Sequence, residues 1–351
     1  MTELKIIKAW NGDGFILHVE KEGRDFYMVV DGGPLVTKKN LYPELQKLSH
    51  MDVVVITHYH SDHNRALVEW LVDNNKINPE TTYFVNLPKL IKLPSPGTDL
   101  SAKDAKSLSD HILDIEKNKG IKIHCHNKVV MGKNRIFESE FIKIWAIAPS
   151  QKNIDDLLKH LDKKDEEKKP DEKYELLAGK QAREEVDTRE LKDIPLTDNI
   201  MPNIENDFSM ALLIETYDNK RILLGGDASV ETMCEGLRTL GYSEENPCEL
   251  DLYKLSHHGS RNNISNELMK LIRCHNYLIT TNGKVYHHPD RETVAKLIFH
   301  EGRNFKVPIL MNFNYCCNEI KSNNPGFDFE GPVKNTEFIF EVRDEITEIT
   351  L

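Results

Sequence analysis

Val53-Val54-Val55-Ile56-Thr57-His58-Tyr59-His60-Ser61-Asp62-His63 is the stretch on which the reading of this chain turns. Four consecutive β-branched apolar residues suit a short strand that is buried on both faces. Three imidazoles and a carboxylate follow within six residues, so the polar cluster leaves the strand's C-terminal end and enters a loop. Loops held by a rigid sheet are where chemistry tends to be placed. Two histidines one residue apart can aim at a common point when the loop is tight, offering two neutral nitrogens to one divalent cation. Asp62 and His63 diverge from that pair and could hold a second cation, about 3.5–4 Å from the first in two-metal hydrolases. A surface loop rich in histidine is the ordinary alternative, and the density of ligand-type residues at a strand end argues against it.

The same pattern recurs outward from this stretch. An apolar run at 26–30 ends in Asp31-Gly32-Gly33-Pro34, and Ile222-Leu223-Leu224 ends in Gly225-Gly226-Asp227. Two glycines permit a sharp turn and a close backbone approach, so a carboxylate at 227 can reach and bridge two cations. The run at 250–255 ends in Ser256-His257-His258-Gly259-Ser260, and Tyr277-Leu278-Ile279-Thr280 precedes His287-His288-Pro289. If these strands lie side by side, one rim collects His58, His60, Asp62, His63, Asp227, His257, His258 and His288.

Between these points the chain alternates strand, polar loop and helix. Residues 15–19 and 26–30 around the turn Lys21-Glu22-Gly23-Arg24 read as a hairpin. Ala66, Leu67, Trp70 and Leu71 recur at helical spacing, which starts a helix within or just after the histidine cluster. Further strands are expected at 83–87, 121–126, 141–147, 210–215 and 221–224, and helices at 102–119 and 230–240. No internal repeat is visible, and the alternation predicts an α/β sandwich. We expect one domain over residues 1–351 that carries a charged insertion at 151–200. There, 26 of 50 residues are Asp, Glu, Lys or Arg. Amphipathic spacing at 154–161 predicts a helix, and 163–173 reads as mobile. A solvated insertion is the plain expectation, and a substrate cover or protein-partner surface the functional one.

With 351 residues and 39% hydrophobic content, the chain can bury a substantial core. Its net charge of -11 excludes broad, unspecific binding to nucleic-acid backbones but leaves room for a cleft where cations meet a phosphate. The first residues lack the features of a signal peptide, and no stretch approaches the roughly 20 apolar residues of a membrane span. A cytoplasmic protein without membrane contact is therefore expected. The six cysteines show no C-x-x-C spacing and read as free thiols, with Cys316 and Cys317 on opposite faces of a strand. Nothing in the sequence bears on oligomeric state.

Taken together, His58-x-His60-x-Asp62-His63, Asp31-Gly32-Gly33 and Gly225-Gly226-Asp227 resemble the motifs of the metallo-β-lactamase superfamily. Gly12-Asp13-Gly14-Phe15-Ile16-Leu17, Asp207-Phe208-Ser209, Leu255-Ser256-His257-His258-Gly259-Ser260 and Tyr286-His287-His288-Pro289 narrow the resemblance. They are similar to the branch that includes the hydrolase domain of ComEC/Rec2-type DNA-uptake proteins. With no membrane span in view, the chain looks like a stand-alone soluble relative. The matching motifs run from about residue 10 to residue 290.

The resemblance implies a four-layer αββα sandwich with two divalent metal ions at one edge, usually zinc, sometimes manganese or iron. By position, His58 and His60 would bind the first metal, Asp62 and His63 the second, Asp227 would bridge, and His257 would complete the second site. Asp62 would also orient the attacking hydroxide held between the metals, and His258 and His288 would contact substrate or protonate the leaving group. Superfamily members often carry a further histidine for the first metal. Here His111, His124, His126 and His160 stand in no motif that singles one out. Arg65 replaces a small residue after the cluster, and His287 stands where glycine is common. The expected activity is hydrolysis of a phosphodiester, in a nucleic acid or nucleotide. Hydrolysis of a carboxylic ester, thioester, lactone or amide is the second reading, because the same fold and ligands serve both. A non-catalytic scaffold is the third.

Overall fold

The structure is a computed structural model that describes residues 1–73, 80–86, 100–119, 124–125, 129–166, 189–198, 200–201, 203–327 and 340–351. Two mixed sheets dominate it. The first runs in the order Glu348–Thr350, Thr2–Ile6, Phe15–Lys21, Arg24–Val30, Val53–Ile56, Thr82–Val85, His124–Cys125. The second runs Phe340–Arg343, Ile309–Phe313, Asn276–Ile279, Leu252–Lys254, Arg221–Leu224, Ala211–Thr216, Ile142–Ala148, Phe137–Glu138. In the first, Arg24–Val30, Val53–Ile56 and Thr82–Val85 are parallel. In the second, Arg221–Leu224, Leu252–Lys254 and Asn276–Ile279 are parallel.

Alternation along the strands decides the layering, because successive side chains point to opposite faces. Val53 and Val55 join Leu17, Met28, Leu212, Ile214, Ile222 and Leu252 in one cluster, so the two sheets pack face to face. Val54 and Ile56 point the other way, onto Leu41 and Leu45 of the Lys38–Lys47 helix and Leu67, Trp70 and Leu71 of the Ser61–Asp73 helix. The outer face of the second sheet, through Leu213, Leu223, Tyr253 and Tyr277, packs on Met233 and Leu237, Leu268, Val294 and Leu297. Those residues belong to the helices Val230–Thr239, Asn266–Leu271 and Arg291–Phe299. The result is the four-layer αββα order that the motifs imply.

Several local expectations are refined. The helix expected near the histidine cluster begins at Ser61, so Asp62 and His63 lie in its first turn. The run at 250–255 is broken at Asp251. Cys248–Leu250 pairs with Ile272–Cys274 in a separate two-stranded sheet, while Leu252–Lys254 stays in the main one. Cys316 and Cys317 do not lie on a strand: Cys316 caps the helix Cys317–Asn323, and both are half-buried. Burial pushes the Cys317 thiol up to about 12, so it is protonated at neutral pH.

The expected helix of the insertion spans Gln151–Glu166, with Ile154 and Leu157 buried against the first helical layer. Leu191 and Ile194 are buried in the second. Most of the segment read as mobile, 167–173, lies outside the described residues, as does His126. Among the described residues, no helix is long and apolar enough to cross a membrane.

The second helical layer holds a pH-sensitive residue. His300 follows the Arg291–Phe299 helix, is only 6% exposed, and neither ring nitrogen has a hydrogen-bond partner. Burial, helped by Arg303 and Arg273, pushes it from its ordinary 6.5 down to about 4. Between those values the unfolded chain binds the proton and the folded chain does not, so stability falls as pH drops from 6.5 towards 4. Replacing His300 by Leu should remove this loss. Measured by urea unfolding at pH 7 and pH 5, the stability gap should move about 2 kcal/mol in favour of His300→Leu at the lower pH. An unchanged gap would mean that the folded protein accepts the proton.

Candidate metal centre

The polar rim forms at the C-terminal ends of the parallel strands, the place where α/β sheets commonly bind ligands. Asp31 follows Arg24–Val30, His58 follows Val53–Ile56, Asp227 follows Arg221–Leu224, His257 and His258 follow Leu252–Lys254, and Thr280 follows Asn276–Ile279. Backbone bonds lock these loops to one another. The amides of Gly32 and Gly33 donate to the His63 carbonyl at 2.7 and 3.0 Å, and the His257 amide donates to the Gly226 carbonyl at 2.9 Å. Glycine is required where the loops meet. A Cβ at position 32 would lie 2.7 Å from the Leu67 backbone nitrogen, and one at position 12 would overlap the carbonyl oxygen of Asp62. His257 (φ 47°) and His258 (φ 56°) are both in left-handed backbone conformations, which cost on the order of 1–3 kcal/mol each and concentrate at functional sites.

Asp227 is the hub. Its Oδ1 lies 3.4 Å from His63 Nε2, and its Oδ2 lies 3.8 Å from His257 Nε2 and 3.9 Å from His58 Nε2. On the near side, His58 Nε2 faces His60 Nδ1 at 3.1 Å. Deeper in, ligand-type atoms of Asp13, His63, Asp227 and His258 all lie within 4.8 Å of one another, and all four residues are buried. Two ligands of a single cation, each about 2.0–2.2 Å from it, stand roughly 3–3.6 Å apart, so the 3.1 and 3.4 Å spacings match a bound cation and the wider ones would close by a few tenths of an ångström or more around it.

Whether metal ions fit can be read from the opposite side of each ring. His58 Nδ1 lies 3.1 Å from Thr57 Oγ1, whose hydroxyl already donates to Asp31 Oδ2 at 2.7 Å and so can accept. His63 Nδ1 meets Asp31 Oδ2 at 3.0 Å. His257 Nδ1 meets Asn263 Oδ1 at 3.2 Å, and the Asn263 amide group donates to the Asp227 and Ala228 carbonyls, which leaves that oxygen as an acceptor. The Asn206 amide nitrogen lies 3.3 Å from the same ring nitrogen. His258 Nδ1 donates to the Thr280 carbonyl at 2.7 Å. In each of these four rings the outer nitrogen is taken up and the Nε2 lone pair is aimed inward, the arrangement found around metal-bound histidines. His63 Nε2, Asp227 Oδ1 and His258 Nε2 are buried without a hydrogen-bond partner, which is costly unless a cation takes them.

The electrostatics agree. Burial alone would lower the His63 ring, but the Asp227 and Asp31 carboxylates raise it well above its ordinary value. Burial alone would raise Asp227, but His63 and His257 hold it well below the usual carboxylate range. The site therefore draws positive charge. Burial keeps His258 neutral, pushing it down to about 4.

The structure thus brings His58, His60, His63, Asp227, His257 and His258 together. Asp62 is half-buried, and its Oδ2 accepts from Asn11 Nδ2 at 3.1 Å. It stands near enough to act on both His60 and His257: the Glu205 carboxylate and then Asp62 raise His60 against the effect of burial, whereas burial holds His257 below its ordinary value despite Asp227 and Asp62. His288 sits over His257, with ring centroids 5.3 Å apart, and under Tyr286 at 6.0 Å. Of His287 and His288, between which the choice was left open, His288 is the one beside His257. His287 is exposed and turned to the Asn323 carbonyl at 2.7 Å. His258 was expected to contact substrate or protonate the leaving group; its ring is 2% exposed and stands in the buried group with Asp13, His63 and Asp227. The left-handed turn at 257–258 swings the ring inward. Of the four histidines considered for the first metal, His160 has its Nε2 4.0 Å from Glu205, which in turn faces His60. The side chain of His124 lies outside the description.

Sequence reading quoted Asp13 only as part of a motif, not as a site residue, and did not single out Glu205, Asn263 or Lys254. Asp13 between two glycines was the one legible signal among them. The others carry ordinary surface residue types whose role depends on who faces them.

No protein-family model matches the chain, and no curated protein matches it in sequence. Solved structures similar to it include human tRNase Z, short form (12% identity, TM-score 0.34, covering 72% of this chain and 77% of that one). A candidate metallo-β-lactamase from Thermotoga maritima is similar at 14% identity and TM-score 0.30, covering 64% of this chain and 78% of that one. A diphosphatase of the PhnP family is similar at 10% identity and TM-score 0.33, covering 73% and 74%. These likenesses are faint, and the chemistry of the site stands on its own donor set.

Proposed function

We propose that this protein is a metal-dependent hydrolase acting on phosphodiesters, in nucleic acids or nucleotides. The observation that carries the reading is the set of imidazoles whose outer nitrogens are capped and whose inner nitrogens surround Asp227. His58, His60, His257 and Asp227 would hold one divalent cation, and His63, His258 and Asp227 the other, with Asp62, expected as a ligand of the second, standing near His60 and His257. Zinc suits such nitrogen and carboxylate donors, and manganese or iron can replace it. When bound, the pair supplies Lewis acidity towards the phosphoryl oxygens and acidifies water.

The chain's own residues do the rest. Asp31, Thr57, Asn263 and the Thr280 carbonyl fix the tautomers, so the inner nitrogens need no reorganisation. Asp62, steadied by Asn11, is placed to orient the attacking water. His288, half-buried beside His257 with its Nδ1 3.5 Å from Asp290 Oδ2, is placed to give a proton to the leaving oxygen. The kinship to ComEC/Rec2-type hydrolase domains is part of the same proposal and is supported by the motifs alone.

One observation favours the second reading, hydrolysis of a carboxylic ester, thioester, lactone or amide. Exposed apolar side chains flank the site residues in sequence: Met201 and Ile204 before Glu205, and Val285 and Tyr286 before His288. Apolar surface of that kind suits an uncharged substrate. A screen separates the two. Metal-loaded protein should cleave model diesters, single-stranded DNA or RNA, and metal-stripped protein should not. Turnover of esters or lactones alone would favour the second reading, and turnover of neither would end the hydrolase proposal.

A further inference from the structure

The fifth imidazole of the site, His60, differs from the other four. Its Nδ1, not its Nε2, faces inward, 3.1 Å from His58 Nε2. Its outer nitrogen is therefore Nε2, and 3.6 Å from that atom stands Glu205 Oε2. We propose that Glu205 is the positioning residue of the first metal: it holds the Nε2–H tautomer of His60 and so keeps the Nδ1 lone pair aimed at the cation. This inference rests on the metal-centre reading above.

Three features of the chain support it. A carboxylate facing the outer nitrogen of a histidine is the commonest way to fix the tautomer of a ligand and raise its basicity. At 3.6 Å the contact is an ion-pair distance rather than a hydrogen bond, and a small ring rotation on metal binding would close it. The segment that carries Glu205 is also pinned to the site at other points. Ser209 Oγ lies 3.3 Å from His58 Nδ1, the Asp227 amide donates to Ser209 Oγ at 2.9 Å, and the Met210 amide donates to the Thr57 carbonyl at 2.9 Å. The 3-10 turn Asn206–Phe208 that follows Glu205 thus holds the carboxylate in register with the donor set. On its far side, Glu205 Oε1 lies 4.0 Å from His160 Nε2, in the Gln151–Glu166 helix of the charged insertion. Glu205 therefore joins the insertion to His60. This also bears on the missing histidine of the first metal, since a carboxylate behind His60 strengthens a ligand already present.

The test is a zinc titration of the full chain against a chromophoric chelator, combined with nitrogen-15 spectra of the imidazole rings in the zinc-loaded protein. Wild type should bind two equivalents, with His60 protonated at Nε2. Glu205→Gln keeps the shape and removes the charge. It should weaken one of the two zinc sites by about 10–100-fold, leave the other unchanged, and broaden or lose the His60 Nε2–H signal. Glu205→Asp, which keeps the charge, should recover part of the affinity, a result that loss of packing alone would not produce. Two unchanged affinities in Glu205→Gln, or a weakening that Glu205→Asp does not relieve at all, would overturn the proposal. Failure of the wild type to bind two equivalents would instead overturn the metal-centre reading.

Discussion

Lys254→Met should destabilise the protein by about 3–5 kcal/mol at neutral pH, measured by chemical denaturation of the metal-free form. Lys254 is 0% exposed and Asp13 is 1% exposed. The ammonium donates to Asp13 Oδ2, whose second oxygen accepts from Thr280 Oγ1 at 2.6 Å, beneath the deepest part of the site. Methionine fills nearly the same volume but leaves Asp13 a buried charge without its counter-charge, and that uncompensated charge is the source of the loss. Adding Asp13→Asn should recover much of it, because the carboxylate that lost its counter-charge is then gone. The pH dependence follows from Asp13. Burial alone would raise its carboxyl, but Lys254 first, then His258 and His63, hold it below its ordinary 3.8. A carboxyl depressed in the folded state contributes stability above its unfolded value and loses it as pH falls through the lower, folded value. The contribution of the pair is therefore whole at neutral pH and fades only below about pH 4. A Lys254→Met protein as stable as wild type at pH 7 would show that the pair is not a structural brace.

Asp227→Ala should abolish both metal binding at full stoichiometry and metal-dependent hydrolysis. Its two oxygens are shared between His63 on one side and His58 and His257 on the other, so no other side chain can stand in for it. Substitutions in the outer shell of metal sites cost about 10–100-fold in affinity or activity, and loss of the central carboxylate should exceed that range. The measurement is zinc or manganese content after dialysis, with diester turnover in parallel. Two equivalents retained at wild-type affinity would remove Asp227 from the centre. The substitution also takes away the charge that raises His63, so the His63 ring should lose affinity for a proton in the metal-free variant.

Much of this was legible in one dimension. The all-buried run Val53–Ile56, the histidine cluster behind it and Asp227 after its two glycines announced a strand-end cluster of imidazoles and carboxylates, because periodicity and residue type are local properties. The alternation of strand, loop and helix announced layers for the same reason. Tertiary structure decided what depends on direction. His258 and His288 are alike as residue types, yet a left-handed turn buries one ring among ligands and the other sits half-open above His257. Which nitrogen of His60 faces inward is set by Glu205, 145 residues away in sequence, and only the packing of two sheets brings them together. Cys317, expected on a strand, begins a helix, since a short polar run carries little periodic signal. Residue order alone named the imidazoles and carboxylates and the strand ends that carry them. The fold decided which atoms face one another, because the tautomer and aim of a ring depend on partners supplied by distant segments.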